Sequence, residues 1–122
     1  MSRYYLKMSS SLPEPVLDRS LALSRVGGDL ELLREIAVLF LDECPRALLE
    51  IHQAVVGEDA AKLENAAHSL KGSVANFGAP AAVAAAFRLE QMGRAQQLVE
   101  APEALRSLEQ ALSAVCAELA AL

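Results

Sequence analysis

The 122-residue chain contains no tryptophan, and aromatic residues make up only 4% of it. Lysines and arginines number 11 against 16 aspartates and glutamates, so the formal net charge is −5. Nucleic-acid binding depends on a basic surface that displaces counterions, and this charge balance argues against it. No apolar run is long enough to cross a bilayer, and the N-terminus has serines and charges where a secretory signal needs apolar residues. We therefore expect a soluble, cytoplasmic protein that neither binds nucleic acid nor enters a membrane.

Only two cysteines occur, Cys44 and Cys116, and they have neither C-x-x-C spacing nor a histidine at metal-ligand distance. A disulfide is possible on their number alone, but the missing secretory signal favours reduced, buried thiols. The chain also lacks a glycine-rich phosphate loop, a G-x-S-x-G sequence and an H-E-x-x-H sequence. These absences give poor support to an enzyme with a complete active site of its own.

Alanine and leucine are abundant instead, and supply most of a hydrophobic fraction of 53%. Their recurrence every three or four positions, with few β-branched residues, is typical of helices packed closely on helices. The pattern predicts an all-α domain, an antiparallel up-down four-helix bundle with a short additional N-terminal helix. We expect residues 1–12 to be a flexible arm and residues 13–122 to form the domain.

Capping residues and helix breakers predict the first boundaries. A short helix runs from about Pro13 to Leu23. Asp29 then caps a second helix, which carries Pro45 in its interior and ends at Gly57. The predicted core stripe of this second helix consists of Leu30, Leu33, Ala37, Leu41, Cys44, Leu48, Ile51 and Val55.

The later boundaries follow in the same way. Asp59 caps a third helix, and Gly78 offers a left-handed turn at its end. A fourth helix extends over residues 80–98, where we expect Gly93 to loosen it. Pro102 begins a fifth, whose leucines alternate at spacings of three and four. The breaks between helices are short, as in a bundle of neighbouring helices.

The third helix carries His68, and the helical wheel predicts which way this side chain points. At about 100° per residue, the apolar stripe from Leu63 to Phe77 clusters in one direction and His68 lies roughly 140° away from it. An outward imidazole is available as a nucleophile. Lys71 and Gly72 follow three and four residues later and so lie beside it on the helix surface. Lys71 supplies a positive charge for a phosphate-sized group.

The neighbours of His68 on this helix indicate an accessible surface. Glycine in a helix interior costs about 1 kcal/mol relative to alanine, so Gly72 suggests close approach of another molecule. A tight contact with a neighbouring helix is the alternative. We therefore predict an access and docking surface around His68, made by Gly72, Ala61, Glu64, Asn65 and Ala75.

The residues around His68 resemble those of the histidine-containing phosphotransfer (HPt) domain family. The sequence His68-Ser69-Leu70-Lys71-Gly72 matches the family pattern H-x-L-K-G. Further agreement comes from Val26-Gly27-Gly28-Asp29, Leu39-Phe40-Leu41, Asn76-Phe77-Gly78-Ala79 and Leu89-Glu90. The resemblance covers roughly residues 17–120, and the combination of motifs is more specific than H-x-L-K-G alone.

The resemblance implies a four-helix bundle whose exposed histidine is phosphorylated, usually on Nε2. It implies exchange of the phosphoryl group with an aspartate on the receiver domain of a response regulator. It also places Glu90 where a Glu or Gln hydrogen-bonds the other ring nitrogen and fixes the tautomer. Because this chain has no clustered acids for Mg²⁺, we expect the metal on the partner receiver and no cofactor of the chain's own. The expected protein is a monomeric carrier.

Two other functions remain open at this stage. The domain could instead be the phosphate-accepting segment of a chemotaxis-type or hybrid histidine kinase, phosphorylated directly by a kinase domain. It could also be a helical adaptor bundle without chemistry, for which His68 would be an ordinary surface residue.

Overall fold

The structure is a computed structural model that describes residues 15–122, and within this range it contains five α-helices and no strand. In chain order the helices are α1 (Arg19–Arg25), α2 (Leu30–Val56), α3 (Ala60–Ala75), α4 (Pro80–Ala95) and α5 (Ala101–Ala120). The predicted all-α class is confirmed. The predicted arm over residues 1–12 and the predicted helix start at Pro13 lie outside the described residues. None of the helices in the described range is both long and apolar enough to cross a membrane.

The four long helices contact one another in a closed order. Helix α2 packs on α3, α3 on α4, α4 on α5, and α5 returns to α2, while the short α1 contacts α2. The most extensive of these contacts joins α3 to α4. Each long helix turns one apolar face toward a shared core. The two helices that carry the candidate site residues are therefore the most closely associated pair.

Aspartate side chains cap three of the helices at their N-termini. The carboxylates of Asp18, Asp29 and Asp59 each accept a hydrogen bond from the backbone N–H three residues later, at 3.0, 3.1 and 3.1 Å. These bonds satisfy amide groups that have no partner inside the helix. The predicted caps at Asp29 and Asp59 are confirmed.

The C-terminal boundaries are partly as predicted. Helix α2 ends at Val56 with Gly57 as its C-cap, and it continues through Pro45, which has no N–H to donate to the carbonyl four residues earlier. Gly78 has φ +64°, the left-handed conformation predicted for the end of α3. Helix α4 ends at Ala95 rather than near residue 98, because Gln96 adopts a left-handed conformation that stops it. The short first helix occupies Arg19–Arg25. It begins later than predicted, because residues 15–18 are not helical and Asp18 caps its start, and it ends two residues later than predicted.

The core of α2 differs from the predicted stripe: Phe40 and Ala54 are buried although the stripe omits them, and Leu41 and Leu48 are only half-buried. Leu30, the first residue of the helix, is 43% exposed and does not belong to the core. Phe40 is buried instead, and its ring meets that of Phe77 edge to face at 5.4 Å between centroids. A helix packed in a domain buries about three of every seven residues, so its buried face is broader than a single line of positions.

Gly93 corrects a further prediction. It does not loosen α4, which runs unbroken through this position and buries it. A Cβ atom here would lie 2.6 Å from the backbone N of Glu64 and 2.7 Å from the carbonyl oxygen of Ala60. Gly93 therefore allows the backbones of α3 and α4 to approach closely. At Gly72, by contrast, an added Cβ would meet no atom within 4 Å.

These two glycines give a matched pair of substitutions, because each adds one methyl group inside a helix. Gly93→Ala should lower the free energy of unfolding by roughly 1–3 kcal/mol, since the backbones of α3 and α4 must move apart. Gly72→Ala should raise it by about 0.4–1 kcal/mol, through reduced freedom of the unfolded chain. Urea unfolding followed by far-UV circular dichroism measures both. Equal unfolding free energies for the two variants would contradict the close approach at Gly93.

Candidate functional site

The imidazole of His68 stands on the outer face of α3. Its side chain is 67% exposed, whereas Leu63, Ala67, Leu70 and Val74 of the same helix are buried. The outward direction predicted from the helical wheel is confirmed. The ring is therefore open to solvent along much of its surface and reachable by a second macromolecule.

Glu90 of α4 lies directly beneath the histidine. Its side chain is 2% exposed, and its Oε2 atom is 3.0 Å from Nδ1 of His68. An ionised carboxylate only accepts hydrogen bonds, so Nδ1 carries the proton and donates it to Glu90. The second ring nitrogen, Nε2, then keeps its lone pair. The arrangement prepares Nε2 as a nucleophile.

Lys71 reaches the same carboxylate from α3. Its Nζ atom lies 2.7 Å from Oε1 of Glu90 and 4.8 Å from the ring centroid of Phe87. The contact with Oε1 is a close ion pair, and the ammonium also lies over an aromatic face. The lysine predicted to stand beside His68 is thus close to it, but its charge is engaged by Glu90.

Arg94 completes the cluster, although it was not predicted from the sequence to belong to the site. Its Nη2 donates to Oε2 of Glu90 and its Nε donates to Oε2 of Glu64, both at 3.0 Å. The guanidinium thus joins α4 to α3 one turn before His68. A spacing of four residues between Glu90 and Arg94 on one helix was the available signal, since such pairs face each other.

These contacts control the charge of Glu90. The contact with Lys71 is the largest influence lowering the pKa of Glu90, burial opposes it, and the hydrogen bond from His68 adds to the lowering. The net result is a pKa below the usual range, so Glu90 is ionised at neutral pH. The hydrogen bond to Glu64 in turn raises the pKa of Arg94. The cluster around His68 contains the carboxylates of Glu64 and Glu90 and the cations of Lys71 and Arg94.

The predicted access residues surround His68 with little bulk. Ala61, Asn65 and Gly72 are exposed, and Ala75 is half-buried on the same helix. Glu64 is half-buried too, with its carboxylate engaged by Arg94. Because Gly72 has open space where a side chain would stand, no neighbouring helix of the described range explains it. The tight helix contact considered as the alternative is therefore not seen at Gly72, and approach of another molecule there stays a prediction.

His52, the other histidine, lies exposed on α2 outside this cluster. In the described residues no group of three or more His, Cys, Asp or Glu side chains is placed to hold a metal ion.

Comparison with known proteins agrees with the geometry. A family model described as the Hpt domain matches residues 35–118, more than half of the chain. Among solved structures, the crystal structure of histidine-containing phosphotransfer protein B (HptB) from Pseudomonas aeruginosa PAO1 matches with a TM-score of 0.81 at 25% sequence identity. The match covers 88% of this chain and 93% of that chain. A comparison with curated proteins gives no significant match. The chain belongs to the Hpt domain family.

Proposed function

We propose that this protein is a histidine phosphocarrier of a two-component phosphorelay. It accepts a phosphoryl group on Nε2 of His68 and exchanges it with an aspartate on the receiver domain of a response regulator. The observation that carries the proposal is the exposed imidazole whose Nδ1 is bound by the buried carboxylate of Glu90. The family membership and the likeness to a histidine-containing phosphotransfer protein support it.

The proposed transfer uses the two ring nitrogens in different ways. The lone pair on Nε2 attacks the phosphorus of an aspartyl phosphate, the bond from phosphorus to the aspartate oxygen breaks, and the carboxylate leaves. The ring becomes positive while Nδ1 keeps its proton. The carboxylate of Glu90, 3.0 Å from Nδ1, stabilises this charge as an acid does in a catalytic triad. The reverse reaction returns the group to an aspartate.

Lys71 is proposed to neutralise the phosphoryl oxygens. Its side chain is 26% exposed and ends on a flexible four-carbon stem, so the ammonium can turn from Oε1 of Glu90 toward a group on His68. The guanidinium of Arg94 and the Nδ1 proton stay on Oε2 and continue to compensate the charge of Glu90. The buried carboxylate is therefore not left without a counter-charge when Lys71 moves.

The rest of the reacting machinery is proposed to come from the partner. Phosphoryl transfer depends on in-line positioning and charge neutralisation, and an aspartate with Mg²⁺ on the receiver would provide both. The low bulk at Gly72, Ala61 and Ala75 suits close approach of that receiver, with Asn65 and Glu64 beside the contact. A monomeric four-helix bundle in antiparallel order fits the helix contacts. The cytoplasmic location and the monomeric state stay predictions from the sequence.

The phosphoryl donor distinguishes this function from its nearest alternative. In the phosphate-accepting segment of a chemotaxis-type or hybrid kinase, a kinase domain with ATP would phosphorylate His68 directly, and the contact with Glu90 would serve equally well. Labelling with a phosphorylated receiver, and separately with a kinase core and ATP, separates the two. An adaptor bundle would accept label from neither.

His68→Ala should abolish the acid-labile, base-stable phosphoryl label while the protein stays folded, because the nucleophile is lost but Lys71 and Arg94 still compensate the charge of Glu90. His52→Ala is the matched control and should keep full labelling. Autoradiography after incubation with phosphorylated receiver measures the label, and circular dichroism measures the fold. A label that persists on His68→Ala would exclude this proposal.

Gly72→Gln should fold normally but accept the phosphoryl group at least tenfold more slowly, because the added side chain stands in the open space beside His68. Gly72→Ala, with a single methyl group, should stay close to the unsubstituted rate. Single-turnover transfer from a phosphorylated receiver measures both rates. An unchanged rate in Gly72→Gln would show that the open space at this glycine is not used for docking.

Arg94→Gln should weaken the hold of Glu90 on Nδ1 of His68, because Oε2 loses the guanidinium that helps to fix it. The ¹⁵N spectrum of the imidazole should then show more of the Nε2–H tautomer, and transfer should be slower. Arg88→Gln is the control, since Arg88 pairs with Glu100 away from the site. His52 provides a reference in the same spectrum. If the tautomer ratio of His68 is unaltered, Arg94 does not position Glu90.

A further inference from the structure

The two cysteines of the chain meet between the first and the last of the long helices. Cys44 lies on α2 and Cys116 on α5, and both are free thiols. Their Sγ atoms are 3.9 Å apart although 72 positions separate them in sequence. Since the chain contains no other cysteine, each thiol has a single intramolecular partner.

The surroundings of the two thiols differ. Cys116 is half-exposed, while Cys44 is 4% exposed and is one of the residues that line a groove of about 570 Å³ between α2 and α3. Burial raises the pKa of Cys44 to about 12, and the neighbouring Cys116 contributes to the rise. Cys44 is therefore a poor nucleophile toward reagents in solution. Cys116 is the thiol that meets an oxidant first.

We propose that Cys44 and Cys116 are an oxidation site, which a two-electron oxidant such as hydrogen peroxide converts into an intramolecular disulfide between α2 and α5. The juxtaposition of two free thiols on packed helices carries the inference, and no metal-binding group in residues 15–122 competes for them.

The reaction with peroxide balances in two steps. The sulfur of Cys116 attacks one peroxide oxygen, the O–O bond breaks, and water departs. Cys116 is then a sulfenic acid. The sulfur of Cys44 then attacks the oxidised sulfur, the S–O bond breaks, and the hydroxyl departs with the proton of Cys44 as a second water. The two thiols lose two electrons and two protons, and the peroxide gains them.

Disulfide formation requires the two sulfurs to approach each other. A disulfide has a sulfur separation of about 2.05 Å, so the two sulfurs must close a gap of roughly 2 Å by side-chain rotation and slight helix adjustment. The bond would enclose a long loop that contains α3 and α4. Closing a long loop restricts the unfolded chain and so stabilises the folded one.

This proposal is independent of the phosphocarrier function. In the described part of the chain, the hydrogen bond of each thiol is made with the other thiol, and neither takes part in the cluster of His68, Lys71 and Glu90. Oxidation is expected to change stability while leaving the contacts of His68 in place.

The test uses the purified full chain, first reduced and then treated with hydrogen peroxide or diamide. Non-reducing peptide mapping should show the peptides of Cys44 and Cys116 linked in a monomer whose mass has fallen by two hydrogen atoms. Thiol titration should fall from two groups to none. The melting temperature should rise by about 10 °C and return after dithiothreitol.

Cys116→Ser is the control, because it changes only the half-exposed thiol and leaves the buried one. Its melting temperature should not respond to the oxidant. Three results would overturn the proposal in the unsubstituted protein: two thiols that still titrate after treatment, oxidation that stops at Cys116 without linkage, or a disulfide that joins two chains. The comparison of oxidised with reduced protein requires no variant to fold.

Discussion

A buried carboxylate is the constraint on which the site depends. Glu90 is 1% exposed, so its carboxylate has lost its hydration water. Removing the partner of such a buried charge costs several kcal/mol of stability, on the order of 3–5. Three groups from two helices compensate it: the ammonium of Lys71, the guanidinium of Arg94 and the Nδ1 proton of His68. The histidine is thus one of the donors that the carboxylate requires. Its orientation and tautomer follow from the burial of Glu90.

Small residues are part of this arrangement although they do no chemistry. Gly93 brings the backbone of α4 against the first turn of α3, and Ala82 and Ala86 continue the buried face of α4 without bulk. Helices that approach this closely allow short contacts between their side chains. Glu90 and Arg94 can therefore bond residues of α3 directly. The alanine-rich composition, which first indicated helical packing, also determines the distances within the site.

The sequence predicts those features that depend on local chemistry. Aspartate caps, the left-handed turn at Gly78 and the outward direction of His68 each depend on a few neighbouring residues, and all agree with the structure. The end of α4 at Ala95 could not be predicted as readily, because Gln96 adopts a left-handed conformation that is more usual for glycine or asparagine. The burial of Phe40 and the exposure of Leu30 depend on how much of the surface of α2 the neighbouring helices cover.

The parts of the site that the sequence left out all lie across the contact of α3 with α4. The resemblance to the family placed Glu90 beside His68, but nothing local indicated that its carboxylate is buried or that Lys71 pairs with it. Gly93 suggests a weak helix when α4 is considered alone and a close contact once α3 is present. Arg94 gains its second partner, Glu64, only through the same approach. Tertiary contact therefore decides what these residues do.

The exposure of His68 also has an electrostatic reason under the proposed function. Before phosphorylation, the charges of Glu90 and Glu64 are balanced by those of Lys71 and Arg94. A phosphoryl group adds about two negative charges beside the ring, and Lys71 can offset only part of them. Between encounters with a partner, the remainder must be screened by water, which a ring 67% exposed permits. A deeper site would need further cations of its own, and those would compete with the metal on the receiver. An open histidine over a compensated carboxylate therefore satisfies both requirements, access for the partner and solvation of the phosphoryl group.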